Sequence, residues 1–254
     1  MKISRSNFIE EINFITPFKD KSLIKLERTI NSLKKTNKFF KVKHLIIYDS
    51  SSKNLINILQ EKILFERGGF YNLILKEARS SGIYSAINEA LEIIPKESYY
   101  IVLGAGDLII SNKGKLKYPK EKIILFPYKL SEDIKKVFYR KIRPIYSGMP
   151  YCHNAIAYIN DGSRYNEKLK VSSDYEHFIK YIKFHKLKKE NLEKNLQQNL
   201  KIEFDSKGIS SKSKTIKSFE NMLIIYSELG LIKILLFICH NFKRVIYKIW
   251  IGRR

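Results

Sequence analysis

The sequence predicts an α/β fold in which a mainly parallel sheet is flanked by helices. Over the first hundred residues, short apolar segments alternate with segments whose apolar residues recur at helical spacing. The last of these apolar segments runs into a glycine-rich turn, Gly104-Ala105-Gly106-Asp107. The chain has 254 residues, 44% of them hydrophobic, which is enough to bury one large core. Together these observations favour a sheet with helices on both faces.

The first half of the chain contains alternating predicted strands and helices. Apolar residues at helical spacing, with basic residues between them, identify the first helix. Thr16-Pro17 is expected to stop the first strand, and Asp49 with the following serines is expected to stop the second. The predicted strands cover residues 12–15, 43–48, 72–75 and 99–103, and the predicted helices cover 23–33, 55–63 and 83–94.

The pattern changes after Asp107. We predict strands over 122–128, 137–141 and 201–204, and helices over 173–185 and 214–228. The sequence contains no internal repeat and no clear linker. Residues 1–228 are therefore predicted to form one domain, and residues 229–254 a C-terminal tail.

The charge balance is strongly basic, with 48 Lys and Arg residues against 25 Asp and Glu and a formal net charge of +23. Such an excess favours anionic partners: nucleic acid, nucleotides or an anionic membrane surface. Lys, Ile and Asn are abundant throughout, so part of the excess is attributed to composition on solvated faces. The lysines are dispersed and match no RNA- or DNA-binding pattern, so nucleic acid is not the expected partner.

Cysteine usage and hydropathy exclude several other classes. Cys152 and Cys239 are far apart without paired spacing, which argues against a disulfide framework or a structural zinc site and favours a reducing cytosol. The N-terminus does not have the pattern of a secretory signal. No window reaches the roughly 18–20 apolar residues of a membrane span.

The tail has the pattern of a basic amphipathic helix. Such a helix, with an aromatic residue such as Trp250, can lie in the headgroup region of an anionic leaflet, where each basic residue contributes about 1 kcal/mol. The alternative interpretation is a helix that packs on the core of its own domain. The apolar stripe consists of Leu231, Ile234, Leu235, Ile238, Phe242, Val245 and Ile249, and the basic side carries Lys233, His240, Arg244 and Lys248.

The glycine-rich turn is the strongest functional signal. In open α/β sheets, ligands bind beyond the carboxyl ends of the strands. Glycine lets a ligand approach the backbone closely, and a lone acid such as Asp107 can hold a metal or a sugar hydroxyl. These residues point to an enzyme that handles a phosphorylated or sugar-like ligand.

Several short segments, in their order and spacing, resemble glycosyltransferase family 2, which has the GT-A fold. Each segment is weakly specific alone, but together they extend over nearly the whole chain before the tail. The segments are Phe14-Ile15-Thr16-Pro17-Phe18, Leu45-Ile46-Ile47-Tyr48-Asp49-Ser50, Gly82-Ile83-Tyr84-Ser85-Ala86-Ile87-Asn88, Leu103-Gly104-Ala105-Gly106-Asp107, Met149-Pro150-Tyr151-Cys152-His153-Asn154, Ser173-Asp174-Tyr175-Glu176 and Lys207-Gly208-Ile209-Ser210.

The resemblance implies how the donor nucleotide sugar is bound. Thr16 and Pro17 match the loop that borders the nucleotide, and Asp49 matches the acid that binds a uracil-type base. Gly82 and Asn88 match the helix start where the family places the donor sugar. The alternative for Asp49 is a turn former before the serines, a position that any Asp can fill.

The resemblance also implies a metal site. Asp107 matches the last acid of the family's metal motif, which holds Mg²⁺ or Mn²⁺, and the alternative is a surface turn aspartate. Gly106 stands where an acid often contacts the ribose, and Ser80 and Ser85 replace frequent aspartates. Asp107 is thus the only carboxylate left in that motif. A divalent cation takes one or two carboxylates plus phosphates, and it neutralises the charge that grows on the diphosphate.

On the acceptor side, the resemblance implies that Asp174 is the catalytic base. The attacking hydroxyl must lose its proton, and a nearby carboxylate accepts it. Ser173-Asp174-Tyr175-Glu176 also fits a capping box with Ser173 as the cap, in which case Asp174 favours the positive end of the helix. His153 matches a histidine on the acceptor side, and the alternative is a structural hydrogen-bonding residue.

The implied function is an inverting glycosyltransferase that uses a nucleotide-diphosphate sugar, with UDP as the expected nucleotide. The implied acceptor is a lipid-linked saccharide in O-antigen, capsule or other surface polysaccharide assembly. With the basic tail, the expected location is peripheral, on the cytoplasmic face of the cell membrane. Two alternatives stay open: an inactive relative that acts as an assembly subunit, and a basic nucleic-acid-binding protein.

Overall fold

A computed structural model of the protein describes residues 7–19, 22–36, 38–64, 71–119, 121–132, 137–205 and 213–251. The strands are β1 Glu11–Phe18, β2 Lys41–Tyr48, β3 Tyr71–Glu77, β4 Tyr99–Val102, β5 Leu108–Asn112, β6 Ile123–Leu125, β7 Tyr128–Leu130, β8 Ile156–Ile159 and β9 Leu200–Phe204. The helices are α1 Leu23–Lys34, α2 Lys53–Leu64, α3 Ile83–Ile93, α4 Ser173–Phe184, α5 Lys189–Lys194, α6 Lys214–Leu229 and α7 Leu231–Ile251.

The strands form two sheets. The larger sheet has the order β3-β2-β1-β4-β8-β6, and its first four strands are parallel to one another. β8 runs antiparallel to both β4 and β6. The smaller sheet has the order β5-β9-β7, with β9 antiparallel to β5 and parallel to β7. The predicted α/β fold with a mainly parallel sheet is confirmed.

The central strands are buried on both faces, as is typical of parallel strands covered by helices. Phe14 and Ile15 point to opposite faces of β1, and both are fully buried. A second, smaller cluster lies under α1 and α2, where Leu26, Ile30 and Ile56 are also buried. This packing fixes the carboxyl ends of β1, β2 and β4, from which the loops of the candidate site emerge.

The first strand does not stop at Thr16-Pro17 as predicted, because β1 continues to Phe18. The Ile15 carbonyl faces β4, where it accepts the N–H of Leu103. Residues two apart on a strand face the same side, so an N–H at position 17 would also face β4, and Pro17 has none. β4 has already ended there, whereas the pairing with β2 continues to Phe18. The proline therefore removes no hydrogen bond from the sheet.

The second half departs further from the prediction. The expected strand at 122–128 is divided at Phe126-Pro127 into β6 and β7, which belong to different sheets. The expected strand at 137–141 is wrong, since only Tyr139 forms a single bridge there, to Tyr128. The sequence pattern did not indicate β5 or β8. Both pair with strands that are not their neighbours in sequence, so local alternation does not reveal them.

The C-terminal tail is helical, and its first part packs on the domain. Phe237 of α7 is buried in the main core, and Ile234 and Leu229 pack against it. No helix in the described part of the chain is long and apolar enough to cross a bilayer. Both terminal helices also expose apolar side chains, namely Ile216, Phe219, Leu223 and Tyr226 on α6, and Leu231, Ile232, Leu235, Ile238 and Phe242 on α7.

Some predictions fall on residues that the structure does not describe. The segment Lys207-Gly208-Ile209-Ser210 lies outside the described residues. The same is true of the side chains from 243 onward, which include Val245, Ile249 and Trp250 of the predicted stripe.

Candidate active site

The turn after β4 is held by α1. Its Gly106 has a φ of +109°, a conformation that favours glycine. The hydroxyl of Thr29 on α1 accepts the N–H of Gly106 at 2.9 Å and donates to the carbonyl of Asp107 at 2.9 Å. The buried Thr29 therefore fixes the backbone of the turn, and with it the direction of the Asp107 side chain.

Asp107 is a buried acceptor at the centre of this turn. Asp107 is only 2% exposed, so the alternative of a surface turn aspartate is wrong. Oδ2 accepts the N–H of Gly104 at 2.6 Å and the side-chain amide of Asn154 at 2.5 Å, and Oδ1 accepts the N–H of Asp205 at 2.9 Å. Burial raises the pKa of Asp107 to about 7, although the three N–H donors act in the opposite direction.

The segment that precedes β8 connects Asp107 with Asp174. Asn154 lies in a short 3-10 turn and bonds to Asp107. The neighbouring Cys152 thiol has a pKa raised mainly by burial, and the charges of Asp107 and Asp174 both add to this rise. The charges of both carboxylates therefore act on the Cys152 thiol. The fold thus places Asp107 and Asp174 in the same region although they are distant in sequence.

His153 contacts the same region. Its Nε2 lies 3.2 Å from the hydroxyl of Tyr165, and its buried Nδ1 has no hydrogen-bond partner among the described residues. Burial lowers the pKa of His153, and the charge of Asp174 partly opposes that shift. His153 thus makes a hydrogen-bonding contact within the protein and lies within electrostatic reach of Asp174, and its role on the acceptor side stays a prediction.

Asp174 lies in the first turn of α4 and is half-buried. Its Oδ1 accepts the N–H of Tyr175 at 2.9 Å. The predicted capping box is wrong: Ser172 is the N-cap, the buried hydroxyl of Ser173 has no partner among the described residues, and Glu176 pairs with Lys180.

The start of α4 is stabilised by a distant acid instead. Glu220 of α6 accepts the backbone N–H groups of Lys170, Val171 and Ser172 at 2.7, 3.0 and 2.8 Å. Three backbone N–H groups that donate to one side chain hold the segment firmly in front of the helix. The position of Asp174 therefore depends on α6.

The helix start at Gly82 leaves open space. Gly82 is exposed, its φ is +128°, and apart from its chain neighbours no atom of the described residues lies within 4 Å of the place where a Cβ would be. Asn88 is buried instead: its amide donates to the Tyr165 carbonyl at 2.9 Å and to Glu167 at 2.8 Å, and its Oδ1 accepts the N–H of Tyr165 at 2.8 Å. Asn88 thus holds the 165–167 segment beside Tyr84, which stacks on Tyr165.

The ends of β1 and β2 lie side by side, because the N–H of Asp49 donates to the carbonyl of Phe18 at 2.9 Å. Thr16 is fully buried, and its hydroxyl lies 2.8 Å from Nε2 of His44. Pro17 is half-buried. Thr16 therefore supports the strand end from within, and Pro17 lies closer to the surface.

Asp49 has the local geometry of a turn former. Its Oδ1 accepts both the N–H of Ser51 at 3.1 Å and the hydroxyl of Ser51 at 2.7 Å, and Oδ2 lies 3.3 Å from Nζ of Lys19. The Ser51 hydroxyl contributes most to lowering the pKa of Asp49, so the carboxylate is ionised. A charged carboxylate at the end of β2 remains compatible with binding a base.

Sequence reasoning missed three residues of this region. Asn154 lies in a quoted segment but carried no assigned role, and Glu220 and Asp205 come from elements far along the chain. Asp205 follows β9 directly, and an acid at the end of a strand was the available signal. Its carboxylate also pairs with Lys25 of α1 at 2.9 Å.

The residues around the turn fit a divalent cation. The described residues contain no group of three or more His, Cys, Asp or Glu side chains placed to hold a metal. Asp107 and Asp205 are nevertheless close enough for the charge of Asp205 to raise the pKa of Asp107. Two carboxylates with phosphates from a substrate are an oxygen donor set that Mg²⁺ and Mn²⁺ accept.

No protein-family model and no curated protein matches this chain. Solved structures do resemble it. The UDP complex of TarS 1-349 from S. aureus superposes with a TM-score of 0.54 at 16% identity, over 86% of this chain and 65% of that one. The mannosyltransferase PcManGT from Pyrobaculum calidifontis, in complex with GDP-Man and Mn²⁺, gives 0.56 at 9% identity, over 87% and 64%.

A third structure extends the similarity. Glucosyl-3-phosphoglycerate synthase from Mycobacterium tuberculosis, with Mn²⁺, UDP and glucosyl-3-phosphoglycerate, gives a TM-score of 0.52 at 10% identity, over 87% of this chain and 81% of that one. This chain spans 65% and 64% of the first two proteins. At such identities the similarity concerns the fold, and the chain has the GT-A fold of glycosyltransferases.

Proposed function

We propose that this chain is an inverting glycosyltransferase that transfers a sugar from a UDP-sugar to a lipid-linked saccharide. The observation that supports this most is the placement of two acids in a GT-A fold, Asp107 after β4 and Asp174 at the start of α4, near enough to Cys152 for both charges to raise the pKa of its thiol. Sugar transfer needs a group at the departing diphosphate and a group at the incoming hydroxyl. The two acids are assigned to these two roles.

Asp107 serves the diphosphate. Its carboxylate is fixed by Gly104 and Asn154, so it keeps one direction when a donor binds. When bound there, Mg²⁺ or Mn²⁺ supplies positive charge to the leaving group. Gly106 gives the turn the positive φ that it needs in order to present Asp107 to the donor.

The nucleoside and the sugar occupy the ends of neighbouring elements. Pro17 and Asp49 border the uridine at the ends of β1 and β2, and Thr16 holds that edge through His44. Gly82 leaves room for the donor sugar at the start of α3. Asn88 acts indirectly, because its bonds fix the 165–167 segment that borders this space.

Asp174 is the general base. It is half-buried in the first turn of α4, and the helix fixes its position. It takes the proton of the acceptor hydroxyl as that oxygen attacks from the side opposite the diphosphate, and this in-line attack inverts the anomeric carbon. His153 borders the acceptor beside it.

A membrane surface is the proposed location of the acceptor. The exposed apolar residues of α6 follow one stripe, Ile216, Phe219, Leu223 and Tyr226, and α7 continues with a second. The two acids of α6 point elsewhere, since Glu220 bonds to the 170–172 segment and Glu228 pairs with Lys183. A net charge of +23 repels a second copy and attracts an anionic leaflet. Residues 229–254, with α6, thus attach the enzyme to the cytoplasmic face.

A donor screen tests the enzymatic proposal. UDP, GDP and their common sugar conjugates are added with Mg²⁺ or Mn²⁺, and the thermal midpoint is measured. A ligand at 100 times its Kd stabilises the native state by about 2.7 kcal/mol. We expect a UDP-sugar to raise the midpoint and to be hydrolysed or transferred in a chelator-sensitive way. Failure of every nucleotide sugar contradicts the donor assignment and favours an inactive assembly subunit.

Vesicle flotation tests the membrane proposal. The full chain should float with phosphatidylcholine vesicles that contain phosphatidylserine and remain behind with phosphatidylcholine alone. Phe219→Ser with Phe242→Ser should weaken flotation, whereas Phe184→Ser, a control at another highly exposed phenylalanine, should not. Equal flotation of both variants, or a stable dimer that buries these helices, contradicts the proposal.

A further inference from the structure

Asp205 lies where a side chain at position 106 would be. β5 and β9 pair antiparallel with Leu108 opposite Glu203, and continuing this register places Asp205 opposite Gly106. A Cβ at Gly106 would lie 2.8 Å from Oδ2 of Asp205, closer than real Cβ contacts. The glycine therefore makes room for a carboxylate that arrives from another strand.

Two bonds fix Asp205 in this place. Its N–H donates to Oδ1 of Asp107 at 2.9 Å, so a hydrogen bond joins the backbone of Asp205 to the carboxylate of Asp107. Its Oδ2 pairs with Nζ of Lys25 at 2.9 Å. The side chains of Asp107 and Asp205 thus lie together at this corner, where their oxygens form a donor set that a divalent cation accepts.

The two carboxylates differ in accessibility. Asp107 is 2% exposed and its oxygens accept three N–H groups from within the protein. The side chain of Asp205 is 19% exposed, so it reaches the surface of the cleft. A cation that arrives with a nucleotide therefore meets Asp205 more readily than Asp107.

We propose that Asp205 is the second acidic residue of the donor site and an oxygen ligand of the divalent cation that accompanies the nucleotide diphosphate. This inference rests on the proposed function. Asp107 then contributes both as a ligand and as the residue that positions Asp205 through its N–H. The sequence suggested that Asp107 is the only carboxylate of the motif, and the fold supplies another from β9.

The test measures Mn²⁺ binding directly, without turnover. The full chain is titrated with Mn²⁺ in the presence of UDP, and free Mn²⁺ is followed by electron paramagnetic resonance. Asp205→Asn should weaken Mn²⁺ binding at least about tenfold, which corresponds to 1.4 kcal/mol. Glu203→Gln is the matched control: it removes the same charge two residues earlier, on β9, at a residue that pairs with Lys129. We expect it to bind within about twofold of the unchanged chain, an effect of under 0.5 kcal/mol.

A second measurement uses the unchanged chain, in case Asp205→Asn does not fold. Crystals grown with UDP and Mn²⁺ should show anomalous scattering at coordination distance from a carboxylate oxygen of Asp205. A peak that contacts Asp107 and not Asp205 overturns the inference. Equal binding by the unchanged chain, Asp205→Asn and Glu203→Gln overturns it too, and so does equal weakening by both variants, since that shows a general charge effect. If the unchanged chain itself binds no Mn²⁺ with UDP, the proposed function fails together with this inference.

Discussion

The two acids of the candidate site are held in opposite ways. Asp107 is buried and accepts hydrogen bonds from three separate segments, through Gly104, Asn154 and Asp205. Asp174 is half-buried, and its carboxylate accepts the N–H of the next residue, Tyr175. The fold thus depends on Asp107 as an acceptor, whereas Asp174 is positioned by its helix and is more exposed. Burial thus separates the two acids: the buried Asp107 supports the local fold, and the half-buried Asp174 is the acid that is proposed to react.

The largest expected effect is that of Asp107→Ala. It leaves three N–H donors without their acceptor, and each unsatisfied buried donor costs about 1–3 kcal/mol, so the free energy of unfolding should fall by about 3 kcal/mol or more. Transfer activity should disappear as well. Urea denaturation and a donor-turnover assay measure the two losses. Asp107→Asn keeps one acceptor oxygen, so it should destabilise less, and an Ala variant of unchanged stability would contradict the framework role.

Asp174→Asn should separate chemistry from folding. Loss of a general base lowers turnover by about 10²–10⁴-fold, whereas the free energy of unfolding should change by less than about 0.5 kcal/mol. The exposed Glu190→Gln removes the same charge elsewhere and should retain full turnover. If Asp174→Asn is as unstable as Asp107→Ala, or if its turnover is normal, the contrast between the two acids is wrong.

Glu220→Ala tests how Asp174 is positioned. It removes the acceptor of three backbone N–H groups in front of α4, which should cost about 2 kcal/mol of unfolding free energy and also lower turnover. Glu228→Ala on the same helix removes a more exposed pair with Lys183 and should cost no more than about 1 kcal/mol, with normal turnover. Equal effects of the two variants would show that the bonds to the 170–172 segment are not special.

The smallest effect near neutral pH concerns a buried residue other than the two acids, His44. Burial lowers the pKa of His44 to about 3, below its ordinary value of 6.5. Between pH 6.5 and about 3 the unfolded chain binds a proton at His44 that the folded chain does not. The free energy of unfolding is therefore highest above pH 6.5 and falls by about 1.4 kcal/mol for each pH unit below it. Urea denaturation at several pH values should show this slope, reduced in His44→Gln. An unchanged slope in that variant would exclude His44 as its source.

The first half of the fold could be predicted because its signals are local. The strands and helices up to β4 follow apolar periodicity, and each predicted element of that region is present within a few residues. The exception is the end of β1, where Pro17 was expected to stop the strand. The neighbouring β4 ends first, and this tertiary fact decides whether a proline is tolerated.

The second half could not be predicted as well, because its pairings join distant segments. β9 lies between β5 and β7, and β8 lies between β4 and β6. Each of these strands pairs with strands that are distant in sequence, and local periodicity does not reveal such pairing. The start of α4 shows the same limit. Ser173 and Glu176 match a capping box in the sequence, yet Glu220 of another helix provides the acceptor.

The candidate site follows the same division. Asp107 and Asp174 were predicted from short segments, and both lie within electrostatic reach of Cys152. Asn88 and Thr16 carry the expected residue types but face inward, which only packing reveals. Asp205 was missed because its relation to Gly106 arises from the register of β9 on β5.

The bonds from Glu220 to the loop before α4 have a consequence for how much of the chain an active enzyme needs. In the proposed enzyme, α6 is needed for turnover, because Glu220 holds the segment in front of Asp174. A chain truncated before Lys214 loses Glu220 together with the buried Ile224, Ile225 and Phe237, so it should lose stability as well as turnover. A chain truncated after α6 keeps Glu220 but loses the exposed apolar residues of α7, so it should bind lipid more weakly.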